Sequence, residues 1–118
     1  MSYKDMYRYR YMKLCSMLGE YSKTGVKKHN KGMDGLTKLF YKLSENKAIA
    51  GVLLTELMDL EDENIRLIAA SHSLGMNLNL TKAQTTLNDI FLSSNKPLSR
   101  LNAEMALKTW EEQGFLRF

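Results

Sequence analysis

The sequence predicts an all-α protein, folded as a compact antiparallel stack of about six helices in one domain, residues 1–118. Three observations lead to this prediction. Apolar residues recur at the helical spacing i, i+3, i+4, i+7. Strand-like alternation never lasts beyond a few residues. The chain also contains a single proline. With 44 % hydrophobic and 25 % charged residues among 118, the chain is long enough and apolar enough to bury a core.

The first predicted helix runs from Ser2 to Ser22. Its apolar stripe is formed by Tyr7, Tyr11, Leu14, Leu18 and Tyr21, with Lys4, Arg8, Arg10 and Lys13 around it. We therefore interpret residues 1–24 as a basic aromatic helix that precedes a helical core over 33–114. Between the two, the lysines and glycines of residues 23–32 predict an exposed loop.

The second and third predicted helices span Met33–Leu43 and Lys47–Met58. Leu36, Leu39, Phe40 and Leu43 supply the apolar face of the second helix. The break at residues 44–46 offers an N-cap for the third helix, which is apolar on more than one face. We expect such a helix to pack between neighbours.

Three further helices are predicted beyond an acidic turn at residues 59–63. The fourth covers Glu63–Leu74, with Gly75 as its C′ residue. The fifth begins near Leu80, where residues 81–84 fit a capping box. The sixth begins near Pro97 and ends at Gly114, which leaves residues 115–118 as a short tail.

Charge is distributed unevenly along this basic chain, whose net charge is +4. Residues 1–42 carry 10 Lys and Arg against 3 Asp and Glu, a net charge of +7, whereas residues 43–118 have a net charge of −3. The single cysteine, Cys15, cannot form an internal disulfide and is expected to pack inertly in the core. No apolar run is long enough to span a bilayer and the N-terminus lacks a signal-like segment, so we expect a cytoplasmic protein.

Residues 53–75 carry the most informative pattern, which resembles a HEAT repeat. The matching positions are Leu53, Leu54, Leu57, Asp59, Ile65, Arg66, Ala69, Ala70, Leu74 and Gly75. Small side chains at Ala69 and Ala70 allow two helices to approach closely. Asp59 would anchor the turn, and Arg66 would donate to it through its planar fork. Arg66, Ala69 and Ala70 are therefore predicted to be structural. With one full repeat in the chain, a compact bundle is favoured over a long α–α superhelix.

A wider resemblance covers roughly residues 33–114. The run Ala70-Ser71-His72-Ser73-Leu74, followed by a terminal helix with Trp110 and then Gly114, is similar to a bacterial domain family of uncharacterised function. Trp110 is thereby predicted to be structural as well. Similar small helical proteins serve as immunity proteins of contact-dependent inhibition and polymorphic toxin systems. The resemblance implies that the chain binds and neutralises a cognate toxin, of the nuclease class, as the C-terminal domain of a secreted effector.

No catalytic or metal-binding pattern is evident in the sequence. His29 and His72 have no His or Cys at ligand spacing, and Ser71, Ser73 and Cys15 lack a nearby base in any recognisable pattern. No phosphate-binding glycine motif is present. We therefore expect a protein that is not an enzyme, with no cofactor and no metal. His72 is expected to be a satisfied, partly buried histidine.

Two surfaces are candidates for partner binding. The acidic one comprises Glu56, Asp59, Glu61, Asp62 and Glu63, and would meet the basic substrate-binding face of a nuclease. The other is on the first helix, where Tyr7, Arg8, Arg10 and Tyr11 are of the types favoured at interfaces. The same basic aromatic helix allows a nucleic-acid-binding module as an alternative. A structural adaptor domain is the third hypothesis.

Overall fold

Six helices follow one another in the part of the chain that this computed structural model describes, residues 2–18 and 23–114; the side chains of 23–26 lie outside that description. They are α1 (Tyr3–Cys15), α2 (Lys23–Leu43), α3 (Lys47–Met58), α4 (Glu63–Gly75), α5 (Leu80–Ser93) and α6 (Pro97–Gln113). No strand occurs within the described ranges. The predicted all-α class is therefore confirmed.

Helix α4 lies at the centre of the stack, since it packs against α1, α3, α5 and α6. Every residue from Ala69 to Leu74 is buried, although three of these six side chains are polar. The Cα radius of gyration of 13.4 Å is close to the ~13.5 Å expected of a compact domain of this length. Because α4 is enclosed by neighbours, its polar side chains are shielded from water. Ser71 donates to the Leu67 carbonyl at 2.8 Å, whereas the buried Ser73 hydroxyl has no hydrogen-bond partner among the described residues.

Helices α3 and α4 form a helical hairpin joined by residues 59–62. The apolar positions that carry the repeat-like pattern are all in the core: Leu53, Leu54, Leu57, Ile65, Ala69, Ala70 and Leu74 are buried. Asn46 caps α3 through its side chain, which accepts from the backbone N–H of Ile49 at 3.3 Å. The N-cap predicted within residues 44–46 is thus confirmed, and the bounds of α3 are as predicted.

Helix α2 differs most from the prediction, because residues 23–32 are its first half and not a loop. Gly32, one of the glycines that suggested a loop, and Gly35 allow the end of α1 to approach closely. A Cβ built on Gly32 would lie 3.0 Å from the Met17 Cβ and 3.1 Å from the Leu14 carbonyl oxygen, and a Cβ on Gly35 would meet a Leu14 methyl group. Spaced by three residues, the two glycines share one side of α2.

Several helix ends also differ from those predicted. Helix α1 ends at Cys15 rather than Ser22; residues 19–22 of the predicted range, and the predicted tail at 115–118, lie outside the described residues. The predicted capping box is not formed, because residues 81–84 lie inside α5. Asn79 precedes the helix in a left-handed conformation and makes no side-chain cap. Gly75 is the last residue of α4, and Asn77 adopts the positive φ of 56° instead. Gly114, at φ 73°, ends α6 as predicted.

Candidate protein-binding surface

The five acidic residues of the predicted patch lie at one end of the α3–α4 hairpin, where most of them bind other parts of the fold. Glu56 accepts from Lys4 of α1 at 2.8 Å. Asp62 caps α4 by accepting from the backbone N–H of Ile65 at 3.1 Å, and Glu63 accepts from the Ser94 hydroxyl at 2.6 Å. Glu61 is exposed and makes no such contact with the described residues.

Asp59 pairs with a lysine rather than with the arginine that the sequence suggested. Its carboxylate lies 2.5 Å from the Lys82 ammonium of α5. Arg66 is half-buried, and its Nε is enclosed without a hydrogen-bond partner among the described residues. The predicted Asp59–Arg66 contact is therefore wrong, since the Asp59 carboxylate pairs with Lys82 of α5 instead.

The α1 candidates are divided between core and surface. Tyr11 is 0 % exposed, which removes it from any binding surface and corrects its assignment to one. Tyr7 packs partly against the core and Arg8 is half-buried. Arg10 is exposed, and so is Tyr9, which lies between the predicted contact residues Arg8 and Arg10 and is 63 % exposed. The outer face of α1 is thus built from Tyr9, Arg10, Met12 and Lys13.

A buried hydrogen bond joins α1 to the central helix. The Tyr11 hydroxyl lies 2.7 Å from Nδ1 of His72, and the two rings meet edge to face with their centroids 5.5 Å apart. Phe40 of α2 contacts the same imidazole edge to face at 5.1 Å. Burial lowers the pKa of His72 from 6.5 to about 3, so the imidazole is neutral at physiological pH. Its place is fully inside the core rather than partly buried as predicted.

The thiol of Cys15, also on α1, is buried as well. Burial, and secondarily the negative charge of Asp62, raise the pKa of its thiol to about 12. Since the thiolate is the reactive form, Cys15 is protonated and unreactive at neutral pH. Burial, with a smaller contribution from the charge of Cys15, likewise raises the pKa of the Tyr11 hydroxyl well above its usual range. The prediction that Cys15 packs in the core is confirmed.

The remaining structural candidates lie where the pattern placed them. Ala69 and Ala70 are fully buried between helices. Trp110 packs against the core from α6, with its indole Nε1 buried and no hydrogen-bond partner among the described residues. Within those residues, no three His, Cys, Asp or Glu side chains are grouped so that they could hold a metal ion. None of the described helices is both long and apolar enough to cross a bilayer.

Comparison with known proteins identifies no relative: no family model, no curated protein and no solved structure matches the chain.

Two surface features were not found from the sequence. One is a line of exposed lysines on α2, which was concealed because half of that helix was interpreted as a loop. The other is the outer face of α6, where Leu98, Leu101 and Met105 are exposed at i, i+3, i+7. The same spacing rule that found the core could have found this second stripe, since Ala103 and Ala106 already defined the opposite face.

Proposed function

We propose that the chain is an immunity protein, which binds and neutralises a bacterial toxin of the contact-dependent inhibition type, of the nuclease class, by protein–protein contact and without catalysis of its own. One observation supports this above the others: the seven apolar positions of the repeat-like hairpin are all in the core. The fold of this chain is therefore consistent with the HEAT-type hairpin that the resemblance implies. The turn between α3 and α4 remains at the surface.

The turn of the hairpin is the contact surface that this proposal favours. Asp59, Glu61 and Asp62 are all exposed there, whereas Glu56 is half-buried and paired with Lys4. A cluster of carboxylates at a rigid turn suits the basic, substrate-binding face of a nuclease, because complementary charge speeds association and excludes wrong partners. The patch is thus smaller than the sequence indicated, with Glu61 at its centre.

Binding can be tested against the C-terminal domain of the protein encoded immediately upstream, by isothermal titration calorimetry. The variant Asp59→Asn/Glu61→Lys changes the charge of the turn by +3 without removing the Asp62 cap. A matched control, Glu104→Gln/Glu111→Lys, makes the same charge change on the exposed side of α6. We expect the turn variant to weaken the Kd at least tenfold and the control less than threefold.

The alternative contact surface on α1 is tested with the same partner. Exposed Tyr9 and Arg10 are the residues to replace, since Tyr11 is buried. If Tyr9→Ala/Arg10→Ala abolishes binding while the turn variant binds normally, the toxin contacts α1 and the acidic-turn assignment is wrong. If the upstream domain does not bind at all, the immunity proposal fails.

A further inference from the structure

The outer face of α2 carries a line of lysines. Lys27, Lys31, Lys38 and Lys42 are all exposed, and their spacings of four, seven and four residues place them on one side of the helix. The apolar side, formed by Leu36, Leu39, Phe40 and Leu43, faces the core. We name the four lysines the α2 lysine stripe.

None of the four ammonium groups is neutralised by the described part of the protein. The two ion pairs found there involve Lys4 and Lys82, neither of which belongs to the stripe. Asp34 and Glu45 are the nearest carboxylates along the chain, and neither lies within ion-pair distance of a stripe lysine. The stripe is therefore an uncompensated line of positive charge, which attracts anions over about a Debye length.

The basic surface continues onto α1. Leu14 contacts Gly35, and Met17 and Leu18 contact Gly32, so the two helices run in opposite directions along their interface. Arg10 lies one turn before Leu14 on the same side of α1, and is exposed. It therefore extends the positive surface across the interface, towards the half of α2 that holds Lys38 and Lys42.

We infer that the α2 lysine stripe is a binding site for the phosphate backbone of a nucleic acid. The stripe spans about 22 Å along the helix axis, with about 6 Å between lysines one turn apart. Phosphates of one strand recur every ~3.4 Å along a duplex axis, so each lysine pair reaches phosphates about two nucleotides apart. Tyr41, 53 % exposed beside Lys42, offers a ring on which an unpaired base can stack.

The residue type of the stripe favours a nucleic acid over an acidic protein as its partner. Lysine is depleted at protein–protein interfaces, where arginine and tyrosine are enriched, whereas lysine readily neutralises phosphates and releases their counterions. The inference does not rest on toxin inhibition, because it concerns another face of the molecule and is tested without a toxin.

The test measures binding of fluorescently labelled 20-nucleotide single-stranded DNA and the matching duplex to the full chain at 50 mM salt, by anisotropy. The stripe variant replaces Lys27, Lys31, Lys38 and Lys42 with Gln. The control variant replaces Lys47, Lys96, Arg100 and Lys108 with Gln. These residues are exposed on α3 and on α6 or its N-cap, and their loss lowers the net charge equally. We expect the stripe variant to lose at least tenfold in affinity and the control less than threefold.

Salt dependence and protection give independent readouts on the unaltered chain. Four neutralised phosphates predict a slope of about −3 in log affinity against log salt. Bound DNA should also protect the stripe lysines, but not the control lysines, from acetylation, as read by mass spectrometry. The proposal is overturned if neither DNA binds at 50 mM salt or if both variants lose affinity equally. Competition by polyglutamate of equal charge at equal concentration would likewise overturn it, in favour of an acidic protein.

Discussion

The Tyr11 hydroxyl and the His72 imidazole are hydrogen-bonded at 2.7 Å inside the core, and this contact fixes α1 on the central helix α4. It connects residues 61 positions apart. A buried polar pair of this kind is specific, because either group without the other is costly to enclose.

Replacing Tyr11 with Phe should destabilise the fold measurably. The ring is retained and the hydrogen bond to His72 is lost, so we expect the free energy of unfolding to fall by about 1–3 kcal/mol. Urea denaturation followed by circular dichroism measures this change. Tyr9→Phe is the matched control on the exposed face of α1, expected to stay within about 0.5 kcal/mol of the unaltered chain. If the free energy of unfolding falls no more in Tyr11→Phe than in Tyr9→Phe, the Tyr11 hydroxyl does not contribute to stability.

Stability should also decrease as the pH falls below 6.5. In the unfolded chain His72 binds a proton near pH 6.5, whereas burial holds its pKa at about 3 in the folded state. Below 6.5 the unfolded state therefore binds more protons and is favoured. Between pH 7 and pH 5 this linkage predicts a loss of about 2 kcal/mol in the free energy of unfolding.

The origin of this pH dependence can be assigned with two histidine variants. His29→Gln should retain the loss between pH 7 and pH 5, and His72→Gln should remove most of it. Urea melts at pH 7, 6 and 5 provide the comparison. An unchanged slope in His72→Gln would place the titrating group elsewhere.

Alanine substitutions at Gly32 and Gly51 distinguish the effect of close packing on stability from the effect of helix propensity. Gly32→Ala would bring a Cβ to 3.0 Å from the Met17 Cβ, and we expect a loss of about 1–3 kcal/mol from overpacking. Gly51 of α3 has nothing within 4 Å of the corresponding position, so Gly51→Ala should gain up to about 1 kcal/mol from helix propensity. Thermal or urea unfolding measures both variants. Stabilisation by Gly32→Ala would mean that α1 does not pack closely on α2.

Of the two neighbouring acidic residues Glu61 and Asp62, only Asp62 should contribute to the stability of the fold. Asp62 caps α4, so Asp62→Ala should cost about 1 kcal/mol in the free energy of unfolding. Glu61→Ala, on an exposed neighbour, should change it by less than about 0.5 kcal/mol. Denaturant melts of both variants check this. Comparable losses would indicate that Glu61 also has a role in the fold.

Much of the fold was predictable because the core follows simple periodicity. Leu53 and Leu57 of α3 are four residues apart, Leu67 and Leu74 of α4 are seven apart, and all are buried. Asn46 caps α3 as its residue type suggests. Local rules failed at Gly32, where a residue typical of loops serves a tertiary contact inside a helix. On α1, helical spacing correctly placed Tyr11 in the apolar stripe and left Tyr9 outside it. Residue type alone was misleading there, since it also assigned the buried Tyr11 to a binding surface.

The candidate surfaces were less predictable than the core, since they depend on pairings between distant residues. Nothing local to Asp59 indicates that Lys82 would be its partner rather than Arg66. The α2 lysine stripe likewise becomes visible only once residues 23–32 are known to be helical.

Titrating the chain into the active toxin tests the central proposal most directly. The measurement is the remaining activity of the C-terminal domain encoded immediately upstream, as a function of the molar ratio of the two proteins. We predict that the activity falls linearly and vanishes at one chain per toxin domain, and that cells expressing the chain survive the toxin. Full activity in the presence of excess folded chain would contradict the assignment of an immunity function.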